Sequence, residues 1–219
     1  MGIEIDLLKN YPKTKRNVKE RGADKTEEDR KIARKFGKAF FDGERKHGYG
    51  GFKYLPRFWQ PVIPRFQEHF NLSPKNSVLD VGCAKGFMMH DMAKLIPGIT
   101  LEGIDISEYA IENAIEDMKP YVNVGNAKKL IFEDNSFDVV ISINTVHNLE
   151  EDECGQALQE IERVARGKSF ITVDAYNDNE EKEAMLSWNL TGRTIMHVDQ
   201  WKKFFIEVGY TGDYYWFIP

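Results

Sequence analysis

The chain is poor in the features that mark secreted, membrane-spanning or fibrous proteins. Two cysteines in 219 residues, Cys83 and Cys154, are too few for a disulfide framework and lack metal-ligand spacing. No apolar run approaches the roughly 18 residues of a membrane span. The opening stretch, MGIEIDLLKNYPKTKRN, lacks the apolar core and small-residue cleavage site of a secretory signal. Gly2 begins a myristoylation-like pattern, but Asp6 stands where Ser or Thr is wanted. There is no internal repeat or low-complexity segment, and no stretch has the clustered basic density of a nucleic-acid binder. These absences lead to the expectation of a cytoplasmic protein in a reducing compartment, with neither a membrane nor a nucleic acid as partner. Oligomeric state is not readable from the sequence.

What is present is ordinary globular composition, 42% hydrophobic and 30% charged. The length suits one domain with a short appendage. The net charge of −5 conceals an asymmetry. Residues 1–60 hold sixteen Lys/Arg against nine Asp/Glu, while the remainder holds fourteen against twenty-six. A basic segment beside an acidic body can attract an anionic ligand, or simply present a solvated helical face.

The first 70 residues read as a helical, lid-like segment and 71–219 as the main domain. Residues 13–35 are dense in charge, and Thr26-Glu27-Glu28-Asp29 has the form of a helix start. Ile32, Phe36, Ala39 and Phe40 then recur at helical spacing. From His47 to Trp59, glycines alternate with aromatic residues, which predicts a loop. Residues 62–70 predict a short helix and 71–76 a turn. Thereafter strand and helix alternate. Strands are predicted at 77–81, 100–104, 121–124, 137–143 and 169–173, and helices at 87–96, 107–118, 154–165, 179–190 and 198–208. Gly209 is a plausible stop, with a last strand or hairpin at 214–218. Such alternation gives an α/β fold, a mostly parallel sheet with helices on both faces.

The most informative stretch is Val78-Leu79-Asp80-Val81-Gly82-Cys83-Ala84-Lys85-Gly86-Phe87. A buried strand ends in a small-residue turn that runs directly into a helix, so the backbone can bend tightly and approach a ligand. Strand two ends in Gly103-Ile104-Asp105-Ile106, placing an acid where it can accept hydrogen bonds from ribose hydroxyls. A dinucleotide enzyme would share both features. However, Asp80 lies just before the first glycine, where it would repel a pyrophosphate and favour a cationic amino-acid group.

The ordered set VLDVGCAKG, GIDIS, GNAKKLIFEDNSFD and VVISINTVHNL resembles the class I S-adenosylmethionine-dependent methyltransferases, the branch of ubiquinone, sterol and sugar methyltransferases. The resemblance covers residues 75–175. It implies a Rossmann-like, seven-stranded sheet with six parallel strands and one antiparallel, and S-adenosylmethionine as cofactor. By position, Asp80, Gly82 and Gly86 would contact the methionine end and Asp105 the ribose, with Cys83 and Ala84 of the same turn also cofactor-binding. Ile106 would meet the adenine face, Asn126 and Ala127 the adenine edge, and Asn144 the neighbourhood of the sulfonium. The family usually has glycine where Ala84 stands, and an added methyl is tolerable there if φ is negative.

For the acceptor, His147 follows strand four, where open α/β sheets place their ligands, and a free imidazole titrating near about pH 6.5 suits a general base. A packing role is the alternative. His47 and His197 are weaker candidates; His69 and His90 sit in amphipathic patterns. Asp174, after strand five, would orient a hydroxyl, help Asn144 hold a metal, or cap a helix. The fuller acidic set of metal-dependent catechol enzymes is missing, so no metal is assigned. Tyr49, Tyr54 and Arg57 of the aromatic loop would face the acceptor by analogy with related lids. The expected activity is methyl transfer to oxygen or nitrogen of a small, anionic metabolite such as a sugar nucleotide or phosphorylated precursor. A protein or nucleic-acid methyltransferase and a non-enzymatic binding module remain alternatives. Against the nucleic-acid enzymes, Asn144-Thr145-Val146-His147 lacks their Asn/Asp-Pro-Pro-aromatic tetrapeptide.

Overall fold

The structure, a computed structural model, describes residues 2–12 and 25–218. The first part of the charge-dense stretch, 13–24, lies outside the described residues. Helix α1 (Glu27–Ala33) starts where expected. Thr26 Oγ1 accepts the Asp29 N–H at 3.1 Å, and the Asp29 carboxylate accepts the Thr26 N–H at 2.9 Å, a reciprocal cap. The apolar run through Phe40 is not one helix. Phe36 adopts φ +48, and the chain restarts after Gly37 as α2 (Lys38–Asp42). The expected loop carries a 3₁₀ turn at Arg45–His47 and a short helix, α3 (Pro56–Trp59). Helix α4 (Ile63–Phe70) ends at Asn71, φ +55.

The sheet then follows: β1 (Ser77–Val81), α5 (Phe87–Leu95), β2 (Thr100–Asp105), α6 (Glu108–Glu112), β3 (Val122–Val124) and β4 (Val139–Ile143). The second half comprises α7 (Glu151–Val164), β5 (Ser169–Tyr176), α8 (Asn179–Trp188), β6 (Met196–His197), α9 (Val198–Val208) and β7 (Asp213–Phe217). The helix expected over 107–118 is only α6 plus a 3₁₀ turn at Glu116–Tyr121, which contains Pro120. Proline cannot donate a helical hydrogen bond and clashes with the preceding turn.

Strand order is β3-β2-β1-β4-β5, with β6 and β7 both on the far edge of β5. Every strand pairing is parallel, including β7 on β5 through Phe170↔Asp213 to Asp174↔Phe217. This corrects the expected antiparallel last strand. An antiparallel neighbour needs a hairpin, whereas α9 is a helical crossover that returns the chain in the original direction. Alternate strand residues feed two cores, as a two-fold pleat requires. Leu79, Val81, Val140, Ile171 and Val173 face α7 and α9, while Val78, Val139, Ile141 and Phe170 pack against α4 and α5.

Candidate active site

Strand order reverses between β1 and β4, and the crevice at the carboxyl ends of such neighbours is where open α/β sheets bind ligands. Asp80, Gly82 and Asn144 therefore converge at one rim, with Asp105 on the adjoining strand. The turn after β1 is held by Gly82 and Cys83 N–H groups donating to the Ile104 carbonyl at 2.7 and 3.1 Å. Gly82 has φ +89, and a Cβ there would lie 2.0 Å from Thr145 Oγ1, so glycine is demanded first by the strand-four loop. Ala84 has φ +49, so the condition for an easily tolerated methyl is not met. Its N–H donates to Asp105 Oδ2 at 2.8 Å, and the Ser107 N–H donates to Oδ1 at 2.8 Å. Asp105 thereby locks turn and strand tip together while keeping lone pairs for further donors. Cys83 contributes only backbone. Its side chain lies in the core beside Gly103, where burial lifts the thiol well above its usual range.

Asp80 is 5% exposed, and no side chain or backbone N–H of the described residues is hydrogen-bonded to its carboxylate. Burial, and then the neighbouring Asp105 charge, push it up to about 8. A buried acid so placed lacks a cation. The ammonium of an amino-acid group fits it, and Ile106, 53% exposed, offers an apolar face on the same rim. The residues present thus fit S-adenosylmethionine. Around them, Asn126 turns its side-chain oxygen to the Lys128 N–H at 3.0 Å, and Ala127 packs partly on the core. Asn144 is exposed with φ +52, its side-chain oxygen accepting from Thr172 Oγ1 at 2.8 Å.

His147 does not stand on the open rim. It is 3% exposed, Nδ1 accepts the Asp174 N–H at 3.3 Å, and Nε2 lies 3.2 Å from Asp174 Oδ2. The Asn189 amide also donates to that carboxylate. Asp174 is therefore part of a buried polar cluster, separate from Asn144, and the two do not assemble a metal site. Among the described residues no group of three or more His, Cys, Asp or Glu side chains gathers as metal ligands. The other histidines are engaged: His47 with Asp29 at 3.1 Å, His69 with Asp213 at 2.7 Å, and His90 with Asp117 at 2.6 Å. His197 caps α9.

The aromatic loop meets the site differently from the expectation. The Tyr54 hydroxyl donates to Asp91 Oδ1 of α5 at 2.6 Å, Tyr49 packs on Phe40, Phe41 and Phe52, and Arg57 is exposed over Phe58. The link to the cofactor turn is Lys85. Its Nζ donates to Asp42 Oδ2 at 2.6 Å and to the Phe52 carbonyl at 3.1 Å. Tyr109 of α6 donates to the same Asp42 oxygen, and the Phe52 N–H to the other. Sequence reasoning missed this knot, although Lys85 stood inside the motif.

A cavity of about 270 Å³ lies between α1 and the 189–195 loop, lined by Glu27, Arg30, Arg34, Leu186, Asn189 and Ile195 among others. Asn189 connects its wall to the Asp174–His147 cluster. Nothing in the sequence distinguished Arg34 or Asn189 from other surface polar residues.

The methyltransferase-domain family profile matches residues 72–209. Mouse (Mus musculus) arginine-hydroxylase NDUFAF5 is 34% identical over 70 residues, covering 32% of this chain and 20% of that protein. Malonyl-acyl-carrier-protein O-methyltransferase of Legionella pneumophila is 23% identical over 151 residues, 67% of this chain and 50% of that one. The chain thus matches between a fifth and a half of the length of these relatives. Among solved structures, the cyclase SpnF superposes with a TM-score of 0.56 at 19% identity, covering 72% of this chain and 58% of that one, a likeness of fold. A family match over more than half the chain, on a sheet that reverses its order beside the glycine turn, makes this chain a member of the class I S-adenosylmethionine-dependent methyltransferases.

Proposed function

We propose that this protein transfers the methyl group of S-adenosylmethionine to an oxygen or nitrogen of a small anionic molecule. The observation that carries the cofactor half is Asp80, a buried carboxylate without a donor at the reversal of strand order. In this reading Asp80 holds the ammonium and Asp105 the ribose hydroxyls. Ile106, Asn126 and Ala127 border the adenine, and Asn144 lies toward the reacting methyl. When bound, the cofactor supplies a methyl group already activated by its sulfonium. The protein's own contribution is alignment and exclusion of water, for which proximity is an effective device. The Lys85–Asp42 knot holds the N-terminal segment over the turn for that purpose.

Compact acceptors suit the cavity beside α1 better than the sugar nucleotides entertained from the sequence. About 270 Å³ is below the roughly 300–1,000 Å³ of sites for drug-sized ligands. His147 then serves as a positioning residue. It braces Asp174, and its carbonyl accepts the Arg193 and Thr194 N–H groups of the cavity loop at 2.9 and 3.0 Å. Calorimetric titration with S-adenosylhomocysteine tests the cofactor reading. Binding should be measurable, and Asp105→Ala should weaken it by about 1.5–3 kcal/mol, the value of hydrogen bonds to a charged group. Absence of binding, with NAD bound instead, would overturn it.

A further inference from the structure

Two arginines, Arg30 and Arg34, line the cavity beside α1, a third, Arg193, stands on the adjoining 189–195 loop, and two of the three are committed. Arg30 ties α1 to α8, donating to the Leu186, Ser187 and Asn189 carbonyls at 3.2–3.3 Å and to Glu27 at 3.0 Å. Arg193 pairs with Glu150 at 3.2 Å. Arg34 is different. Its Nε is sealed from solvent without a hydrogen-bond partner, and no side-chain ion pair closes on it among the described residues. Leaving a buried charged donor unsatisfied costs more than a normal hydrogen bond gains, so such a group is usually completed by something absent from the chain.

Building on the methyl-transfer reading, we propose that Arg34 is the anchor of a carboxylate subsite in this cavity, gripping the anionic end of the methyl acceptor. The charge balance selects a single negative charge. Glu27 is neutralised by Arg30, which leaves one uncompensated guanidinium, and a doubly charged phosphate would also face the Glu27 carboxylate. The guanidinium fork matches a planar carboxylate in a bidentate way. Leu186 and Ile195 supply an apolar wall for the rest of the molecule. Asn189 of the cavity wall is hydrogen-bonded to Asp174, near the carboxyl end of β5, and β5 pairs with β4, which Asn144 follows. Burial and then the Arg193 and Arg30 charges oppose the Arg34 cation, while the Glu27 and Glu150 carboxylates act the other way, and the balance lies against the cation.

The test uses the full chain and three probes, sodium propionate, propionamide and inorganic phosphate, followed at the Arg34 Nε–H signal by nuclear magnetic resonance. That signal is assigned by its loss in Arg34→Gln. Propionate should shift it saturably, propionamide should not, and phosphate should bind more weakly than propionate. Read in the variants from the backbone amide signals of residues 189–195, which remain when the guanidinium is gone, Arg34→Gln should weaken propionate about ten- to a hundredfold, as loss of charge-assisted hydrogen bonds implies. Arg34→Lys, which keeps the charge without the fork, should fall between. S-adenosylhomocysteine affinity should stay within about twofold in both variants, since the turn at 80–86 is untouched. No saturable propionate shift, or an equal shift with propionamide, would overturn the subsite, and tighter phosphate binding would overturn its assignment to carboxylates. Propionate binding in a protein that does not bind S-adenosylhomocysteine would support the subsite and overturn the methyl-transfer reading.

Discussion

Ala84 places a methyl group in the left-handed region, where Cβ crowds the following carbonyl at a cost of roughly 1–2 kcal/mol. Replacement by glycine removes that strain but enlarges the unfolded ensemble by roughly 0.5–1 kcal/mol. Ala84→Gly should therefore raise the unfolding free energy by about 0.5–1 kcal/mol in a denaturant titration. A decrease would show that the methyl contributes packing that outweighs its strain. His147 marks the limit of reading function by residue type. The sequence locates it correctly after β4, but its ring is held by Asp174 and its backbone carbonyl by the 193–194 N–H groups, which lie far along the chain. His147→Ala strips the buried Asp174 N–H of its acceptor and should cost about 1–3 kcal/mol of stability. His147→Asn, which can restore an acceptor, should recover part of it. Unchanged stability in His147→Ala, with turnover lowered about 10²–10⁴-fold, would return the histidine to the role of general base.

At the scale of elements, the core strands and the glycine turn were legible because their signals are local: β-branched runs, small residues and the acids Asp80 and Asp105 toward the ends of β1 and β2. The short N-terminal helices were not. Phe36 and Gly37 break an apolar pattern that periodicity alone would continue, because Phe36 hands its carbonyl to Ser107. The direction of β7 was misjudged because a family pattern replaced the simpler consequence of an intervening helix. The attachment of α2 to the sheet rests on Asp42, which joins Lys85, Tyr109 and the Phe52 N–H. Burial alone would raise this carboxyl, but those partners outweigh it and hold it at about 2. Asp42→Asn should therefore loosen residues 38–54 from the turn. Amide exchange there should speed up in the variant, with β1, β4 and β5 unaffected. Equal exchange in both proteins would mean that the aromatic contacts of Phe41 and Phe52 suffice.

For the whole molecule, two carboxylates oppose one another in their response to pH. Asp42, held low, gives stability that is present above its usual value of 3.8 and is lost as pH falls toward about 2. Asp80, raised to about 8, gives stability that is present below 3.8 and is lost as pH rises through about 8. The free protein should accordingly lose stability between pH 4 and 8 through Asp80, and Asp80→Asn should flatten that decline. Ligand binding reverses the demand. A neighbouring ammonium favours the carboxylate, so a protein that holds Asp80 protonated at neutral pH must release its proton to bind. Titration with S-adenosylhomocysteine at pH 7, in buffers of different ionisation enthalpy, should show release of about one proton per site. The release should vanish above about pH 9, where Asp80 is already ionised, and in Asp80→Asn. Binding without proton release at pH 7 would mean that the ammonium does not lie against Asp80, and the methionine end of the cofactor would have to be placed elsewhere on the rim.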